Sequence, residues 1–400
     1  MFGESLNPMK ISLRIYQNFD ELISLRAAWD ELLSRYPAST TFSTWEWLSC
    51  WWRCFGGKRH LLVLALFDSS YLVGLAPMSI SKEHCGPFSL RSVRLMGDGS
   101  GDSDNLDFPV QPGFERVFAD SVLDHLRQHK RRWDVCLLNT LPQDSPVASC
   151  LRENLRSSKW ILFEGCSKSS AVPLQENWES YAQSLSSEDR NNLERYTRRL
   201  QRRYSTRVYR CTMADQLPTC LAALFRLHQG RWQAAGEPGS FSSAERREFY
   251  AQLSRCLLAR GWLELWVLEI DGEIAAVQFG FRYGDRFFQL QEGYDHKRTS
   301  DRPGYVLRGE VLKRLISEKV KIYDFLGGED PYKARWGAWE GRYRQLHFAP
   351  TLSAGGACLQ FVNSAGKTKE WLRAKLPLPV WNALHRVNVA THRSPGPLAR

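Results

Sequence analysis

The residues with the clearest chemical potential lie in one turn, RPGYV at positions 302–306, ahead of a helical run to residue 317. Proline at a first helical position presets the backbone, and glycine lets the main chain approach a ligand. A helix N-terminus offers unpaired N–H groups and a positive dipole end, which suit a diphosphate. We predict that Arg302, Gly304, Tyr305 and Val306 bind a phosphorylated cofactor, with added charge from Arg308. The alternative is an ordinary capped loop.

The elements around this turn form a recognisable order. Three strand-like runs precede it, WLELWVLEID, EIAAVQFGFRYG and RFFQLQEGYD, and the tight turns DG and GD between them indicate hairpins. A buried strand, KIYDFLGG, follows the helix. The first half of the chain shows a similar order of strands and helices. This predicts an α/β fold with mixed sheets and three segments: two domains at 10–174 and 175–355, and a basic tail at 356–400.

Polar residues after the turn form a second candidate group. Asp324 lies in a strand with a buried pattern, where a carboxylate needs a partner. We expect it to orient Lys333 or Arg335, or to act as a base. Lys333, Arg335 and Trp336 suit a phosphate or a sugar, because a guanidinium makes bidentate bonds to phosphate and an indole face stacks on a sugar ring. The alternative for Lys333 is a packing role.

Arginines crowd the segment from Asp189 to Arg210, in which SSEDRNNLERYTRRLQRRY predicts a helix and TRVYR predicts a strand. Those on neighbouring turns of one side suit an acceptor's diphosphate or a tRNA backbone, and the alternative is a solvated basic face. Arg190 and Arg198 are the candidates to test first. The eight arginines are Arg190, Arg195, Arg198, Arg199, Arg202, Arg203, Arg207 and Arg210.

The motif LHQGRW places His228, Arg231 and Trp232 on one helix face. His228 and Trp232 are therefore candidates for acceptor binding. The alternative for His228 is a core histidine satisfied by hydrogen bonds.

The run from Trp178 to Trp336 resembles the GNAT acetyltransferase domain of CelD-like proteins of polysaccharide biosynthesis, which are related to Fem-type aminoacyl ligases. The resemblance rests on LSSEDRNNLERYTRRL, LHQGRW, GWLELWVLEIDGEIAAVQFGF, FFQLQEGYD, RPGYVL and YDFLGGEDPYKARWG. FSTWEWLSCWW, LVGLAPM and NLDF resemble it more faintly in the first half. It implies tandem GNAT-like domains, each a twisted mixed sheet flanked by helices, with acyl-CoA bound to the second. The usual signature Q/R-x-x-G-x-G/A is reduced to Gly304 followed by Val306.

The resemblance also implies catalytic roles. Acyl transfer from a thioester to an amine needs a base, a donor that polarises the carbonyl and an acid for the thiolate. In a GNAT domain the base usually comes from the meander strand beside the β-bulge, and Glu292 is the first choice there. The alternative is that Glu292 pairs with an arginine. Tyr332 occupies the place of the tyrosine that serves as the acid in many members.

Composition limits the class of protein. The net charge of +11 and the pI of about 9.2 indicate an anionic partner, such as a phosphorylated cofactor, a nucleotide-linked sugar, tRNA or an anionic membrane. Ten cysteines without a C-x-x-C pair or a neighbouring histidine cluster argue against zinc and favour a reducing compartment. No apolar run reaches the roughly 18 residues of a membrane helix, and the start lacks a signal layout. We therefore expect a cytoplasmic protein.

The tail from Lys367 mixes basic residues with Trp371, Leu372, Trp381 and Leu384. Such a stretch suits peripheral contact with an anionic membrane, and docking onto its own domain is the alternative.

The sequence thus predicts an N-acyltransferase that moves an acyl group from acetyl-CoA or another acyl-CoA to a small-molecule amine. The resemblance implies an amino sugar or a nucleotide-linked sugar of envelope or exopolysaccharide synthesis as the acceptor. One alternative is a Fem-type ligase that takes an aminoacyl group from tRNA onto a cell-wall precursor, and tRNA is a partner only in that case. A second is a non-catalytic scaffold with a GNAT fold. No DNA partner or metal ion is expected.

Overall fold

A computed structural model describes residues 10–36, 39–85, 88–234, 236–328 and 330–375. The helices are α1 (Phe19–Leu22), α2 (Arg26–Arg35), α3 (Trp45–Phe55), α4 (Glu115–Gln128), α5 (Pro146–Arg156), α6 (Trp178–Ser184), α7 (Ser187–Arg203), α8 (Leu217–Ala234), α9 (Ala244–Ala259), α10 (Pro303–Ser317), α11 (Pro331–Ala334) and α12 (Ala354–Lys375). The strands are β1 (Ile11–Tyr16), β2 (Arg59–Asp68), β3 (Tyr71–Cys85), β4 (Phe88–Leu95), β5 (Val135–Pro142), β6 (Trp160–Pro173), β7 (Thr206–Arg210), β8 (Leu263–Ile270), β9 (Glu273–Tyr283), β10 (Arg286–Tyr294), β11 (Ile322–Gly327) and β12 (Trp339–Pro350).

The described residues divide into two compact units. Unit 1 consists of the residues up to Ser39, Lys58–Cys166 and the residues from Arg344 on. Unit 2 consists of Thr40–Gly57 and Ser167–Tyr343. The units are therefore not contiguous along the chain.

Unit 1 is built on strands in the order β1-β2-β3-β4-β5, followed by its parts of β12 and β6. The first four strands pair antiparallel, and β4 pairs parallel with β5 at Ser92↔Val135. Helix α4 packs closely on β3, because a Cβ added at Gly74 would lie 2.4 Å from the Phe118 ring. A parallel pair needs a crossover connection, which α4 provides between β4 and β5.

Unit 2 repeats this arrangement in the order β7-β8-β9-β10-β11, with its part of β6 next. Strands β7 to β10 are antiparallel, and β10 pairs parallel with β11 across the α10 connection. Successive side chains of a strand point to opposite faces. Phe287 lies in a core with α6, α7 and α10, whereas the next residue, Phe288, contacts Phe42 beside α3. Helices therefore cover both faces of the sheet.

Helix α3 comes from the first part of the chain but packs within unit 2. The Trp47 ring lies 5.2 Å from Phe281 and 5.5 Å from Phe249, in edge-to-face geometry. The Arg260 guanidinium donates to the buried Glu46 carboxylate at 2.8 Å. Aromatic packing and an ion pair between an exposed arginine and a buried carboxylate thus hold α3 on α9 and β9.

The predicted α/β class with mixed sheets is confirmed, and so is the helix after the RPGYV turn. In the arginine-rich segment the helix ends at Arg203 and the predicted strand TRVYR is β7 (Thr206–Arg210), so Arg207 and Arg210 belong to a strand and not to the arginine helix. Strands β4, β6 and β12 were not expected. Helix α12 covers the start of the predicted tail, and Trp381 and Leu384 lie outside the described residues. None of the helices within 10–375 is long and apolar enough to span a bilayer.

Candidate functional site

A β-bulge interrupts β10 just before the predicted catalytic strand end. Gln289 pairs with Gly280 and Gln291 pairs with Phe279, so Leu290 is an extra residue. The parallel pairing of β10 with β11 ends at Phe288↔Asp324. Bulges bend a strand and end its pairing, and they are frequent beside active sites. The sheet therefore opens where Glu292 and Tyr294 emerge from β10.

The start of α10 faces this opening. Arg302 adopts a left-handed conformation (φ 51°, ψ 51°) ahead of Pro303, and its carbonyl accepts from the Tyr305 and Val306 N–H groups at 3.0 and 3.1 Å. The Gly304 N–H has no acceptor among the described residues. A Cβ at Gly304 would lie 3.0 Å from Cδ1 of Tyr294. Glycine thus allows close packing on Tyr294, whereas any larger residue at position 304 would require the ring to shift.

A cavity of about 360 Å³ lies between the start of α10, the end of β10 and the residues around α11. Its size is in the range of small-molecule sites. It brings together Glu292, Arg302, Gly304, Tyr305, Tyr332, Arg335 and Trp336 of the predicted residues. The residues that line it are Arg231, Glu292, Tyr294, Thr299, Arg302, Pro303, Gly304, Tyr305, Arg308, Tyr332, Arg335 and Trp336.

A buried ion pair between Arg308 and Glu292 occupies the cavity wall. The Arg308 side chain is 5% exposed, and one of its terminal nitrogens donates to Oε2 of Glu292. Arg231 lies 3.8 Å from Oε1 of the same carboxylate. Burial would lower the pKa of Arg308, but the Glu292 charge raises it above its usual range. Arg308 therefore stays charged, and its Nε has no hydrogen-bond partner among the described residues.

Aromatic rings surround the same guanidinium. The Arg308 carbon Cζ lies 4.9 Å from the centroid of Tyr332 and 5.5 Å from those of Phe325 and Trp336. Cation–π attraction strengthens as water is removed. The rings therefore help to hold the buried guanidinium in place, and its unpartnered Nε is itself buried.

Glu292 pairs with arginines, which is the alternative to a catalytic role given for it above. Besides Arg308 and Arg231, Nε2 of Gln289 donates to it at 3.2 Å. A carboxylate in such a network is well positioned to hold a guanidinium. Its role as a base stays a prediction.

Tyr332 has the properties of a hydrogen-bond donor at the cavity. It is 36% exposed, and its hydroxyl bonds to no other described residue. Burial, followed by the charge of Glu292, raises the pKa of Tyr332 to about 12. The phenol therefore remains protonated at neutral pH.

Three of the predicted residues, Trp336, Val306 and Lys333, make packing or hydrogen-bond contacts within the fold. Trp336 is 1% exposed and packs 4.6 Å from Tyr305, so its face is part of the core. Val306 is buried in the same core. Nζ of Lys333 donates to the carbonyls of Gly327 and Gly328 at 2.8 and 3.2 Å. These bonds hold the loop after β11, and Lys333 does not line the cavity.

Asp324 is paired, but with a different residue from those expected. Its Oδ2 accepts from Arg286 at 3.0 Å, and its Oδ1 accepts from the Leu326 N–H at 2.8 Å. Burial raises the pKa of Asp324, while the Arg286 charge opposes that rise. The hydrogen bond expected to Lys333 or Arg335 goes instead to Arg286 on the neighbouring strand β10, two residues before Phe288, the register partner of Asp324.

The α7 arginines lie outside the cavity lining, including Arg190 and Arg198. Arg198 pairs with Glu194 at 3.0 Å on the exposed helix face. Arg199 and Arg203 lie 3.8 and 3.6 Å from the buried Asp301 carboxylate. Part of the arginine run thus anchors the loop that precedes α10.

His228 has the surroundings of a core histidine. It is 2% exposed, and Nε1 of Trp232 donates to its Nε2 at 3.0 Å. Burial, then the Arg231 charge, lowers the pKa of His228 to about 4. The ring is therefore neutral at physiological pH. Neither His228 nor Trp232 lines the cavity.

Sequence reasoning did not single out Arg231, Tyr294 or Thr299 as ligand-facing, and it gave Arg308 only a supporting charge. A signal for Arg308 was present, because an arginine interrupts the apolar stripe of YVLRGEVL. Whether Arg231 and Tyr294 face the cavity depends on how α8 and β10 pack. No group of three or more potential metal ligands occurs in the described part of the chain.

The comparisons with known proteins agree with the resemblance for this part of the chain. Residues 187–334 match the family described as acetyltransferase (GNAT) domain. Two solved structures share the fold over most of the chain. One is FemX, with 12% identity, 83% of this chain and 96% of that chain covered, and a TM-score of 0.57. The other is L-PGS from Bacillus licheniformis, with 11% identity, 86% and 95% coverage, and a TM-score of 0.51. No curated protein matches the sequence significantly.

Proposed function

We propose that the protein is an N-acyltransferase that moves an acyl group from acetyl-CoA or another acyl-CoA to an amine. The observation that carries the proposal is the cavity of about 360 Å³, bounded by the α10 start and by β10 beyond its bulge. A GNAT domain in the same residues supports it.

Donor binding follows from the charges at the cavity. The Gly304 N–H and the positive end of α10 suit a diphosphate, and Arg302 and Arg335 are exposed arginines in the cavity lining. The buried guanidinium of Arg308 adds a third positive charge to the cavity lining. Only one carboxylate, Glu292, lines the cavity, so the lining favours an anionic ligand.

Chemistry would take place beside the bulge. The amine nitrogen attacks the thioester carbonyl carbon, the C–S bond breaks, a base takes the amine proton and sulfur leaves as thiolate. The unpaired main chain at Leu290 offers a candidate donor to the carbonyl oxygen. Glu292 is the proposed base, and its alternative role is to hold Arg308. Asp324 is the less suitable carboxylate, since it is buried against Arg286.

Tyr332 is the proposed partner of the leaving sulfur. An unperturbed thiol has a pKa of about 8.5, whereas the pKa of Tyr332 is about 12. Complete proton transfer from the phenol to the thiolate is therefore uphill. A hydrogen bond from Tyr332 to the developing charge needs no such transfer, so Tyr332 stabilises the thiolate and water takes over its final protonation.

The proposed acceptor is based on the family resemblance. We propose an amino sugar or a nucleotide-linked sugar of envelope or exopolysaccharide synthesis. Lys333 and Trp336 are occupied in the fold, so Arg335 is the member of that group with an exposed charge toward an acceptor or donor phosphate.

Calorimetry with acetyl-CoA and longer acyl-CoAs tests the donor, and release of free thiol with a panel of amino sugars tests turnover. We expect binding to the wild type, and a Tyr332→Phe variant that binds equally well but turns over at least about tenfold more slowly. Tyr71→Phe, an exposed tyrosine of unit 1, is the matched control. Absence of binding for every acyl-CoA would refute the proposal.

A second candidate is aminoacyl transfer from tRNA, as in Fem-type ligases. Two observations favour it: the fold shared with FemX and L-PGS, and the exposed arginines of α7. Salt-sensitive tRNA binding together with indifference to CoA would select it. The scaffold alternative is disfavoured by the open cavity, since a silent protein has no need to keep one.

A further inference from the structure

Helix α7 meets the mouth of the cavity through Tyr196. The Tyr305 hydroxyl donates to the Asp189 carbonyl at 3.3 Å, which holds the first turns of α7 against the start of α10. The Tyr196 ring stands edge to face with Tyr305, with centroids 5.9 Å apart. Tyr305 and Arg302 line the cavity and both contact Tyr196, which is not itself part of the lining.

Two guanidiniums converge on the Tyr196 ring. Cζ of Arg195 and Cζ of Arg302 each lie 4.9 Å from its centroid. Arg195 also donates to the Tyr196 hydroxyl at 3.1 Å and to Oδ1 of Asn192 at 2.7 Å. Both arginines are exposed. We call Arg195, Tyr196 and Arg302 the rim cluster.

The rim cluster differs from the other arginines nearby. No carboxylate lies within ion-pair distance of Arg195 or Arg302 in the described part of the chain, whereas Arg198, Arg199 and Arg203 each have one. A guanidinium stacked on a ring keeps its in-plane N–H donors for other partners. Two such groups beside one ring therefore form a prepared site for an anion of tetrahedral oxygens.

We infer that the rim cluster recognises a phosphomonoester on the nucleotide part of the acyl donor, one ribose away from the diphosphate. This rests on the proposed function, which puts the diphosphate at the Gly304 amide. Arg302 is the residue that caps that helix and also belongs to the rim cluster. A single donor molecule therefore contacts both sites.

Donor selection follows from this assignment. A donor with a nucleoside 3′-phosphate satisfies both sites, whereas one that ends at the diphosphate, or a phosphopantetheine carried by a protein, satisfies only the inner one. Acyl groups delivered as free CoA esters are thus preferred over the same acyl groups on a carrier protein.

The test compares CoA with 3′-dephospho-CoA by calorimetry. A charge-assisted hydrogen bond corresponds to about tenfold in affinity or more. We expect the wild type to bind CoA at least about tenfold more tightly. Arg195→Ala should bring the ratio close to one while leaving the affinity for 3′-dephospho-CoA unchanged. Arg198→Ala, on the same helix but paired with Glu194, should keep the wild-type ratio.

The outcomes separate the two proposals. Equal wild-type affinities for the two ligands would overturn the rim assignment and leave the donor site standing. If Arg198→Ala lowered the ratio of the two affinities as much as Arg195→Ala, the rim assignment would also be overturned, because the effect would then be general charge attraction. Failure of both ligands to bind the wild type would remove the proposed function and this inference together.

Discussion

Replacing Glu292 with glutamine should destabilise the protein more than removing its partner. Arg308 is 5% exposed and Glu292 is 18% exposed, so the arginine depends on the carboxylate more than the reverse. Breaking a buried pair from one side costs about 3–5 kcal/mol when the remaining charge is uncompensated. We expect about 3 kcal/mol for Glu292→Gln, because water can enter beside the partly exposed side chain.

Arg308→Met should cost only about 1–2 kcal/mol. The carboxylate left behind is partly hydrated and still has Arg231 at 3.8 Å, and a methionine fills much of the space among the aromatic rings. The double variant should resemble Arg308→Met alone, which gives a coupling energy of about 2 kcal/mol or more.

Urea unfolding of the four proteins measures this cycle. Glu153→Gln serves as the control, since its pair with Arg116 is exposed on both sides and its loss should leave the stability nearly unchanged. A Glu292→Gln variant within about 0.5 kcal/mol of the wild type would refute the anchoring role. If the same variant kept its CoA affinity but lost turnover, Glu292 would be the base instead.

Three further predictions follow from the contacts. Gly304→Ala puts a Cβ against the Tyr294 ring, so it should weaken CoA binding measurably, and Tyr294→Leu in the same chain should restore part of the loss in calorimetry. Burial raises the pKa of Asp107 to about 6; the folded state then holds that proton more tightly than the unfolded state. The free energy of unfolding should therefore fall by roughly 3 kcal/mol as pH rises from 4 through 6. Denaturant unfolding at several pH values measures this, and the Asp107→Asn variant should lack the pH dependence. Lys333→Met should lower stability by about 2 kcal/mol, because the carbonyls beyond β11 lose their donor; an unchanged melting temperature would contradict this.

Local patterns in the sequence were sufficient to predict the helix and strands around the candidate cavity. The DG and GD hairpins predict the β8–β10 meander, and proline and glycine at positions 303 and 304 predict the start of α10 within one residue. These signals are local, so they survive without knowledge of the fold.

Features that depend on distant residues could not be predicted this way. Arg308 and Glu292 are 16 residues apart, and their pairing depends on α10 lying over the end of β10. Asp324 finds Arg286 only through the parallel β10–β11 register.

Helix α3 has a consequence for synthesis on the ribosome. Its Glu46 is 214 residues upstream of the Arg260 that neutralises it. At ordinary elongation speeds, roughly 10–40 s pass between the appearance of these two residues. For most of that interval Trp47 lacks Phe249, and it lacks Phe281 for longer, although Phe42 is already present. The nascent chain therefore exposes a large aromatic side chain that chaperones can bind. A shortened gene that begins after residue 57 would omit this helix, and its product would expose Phe249 and Phe281.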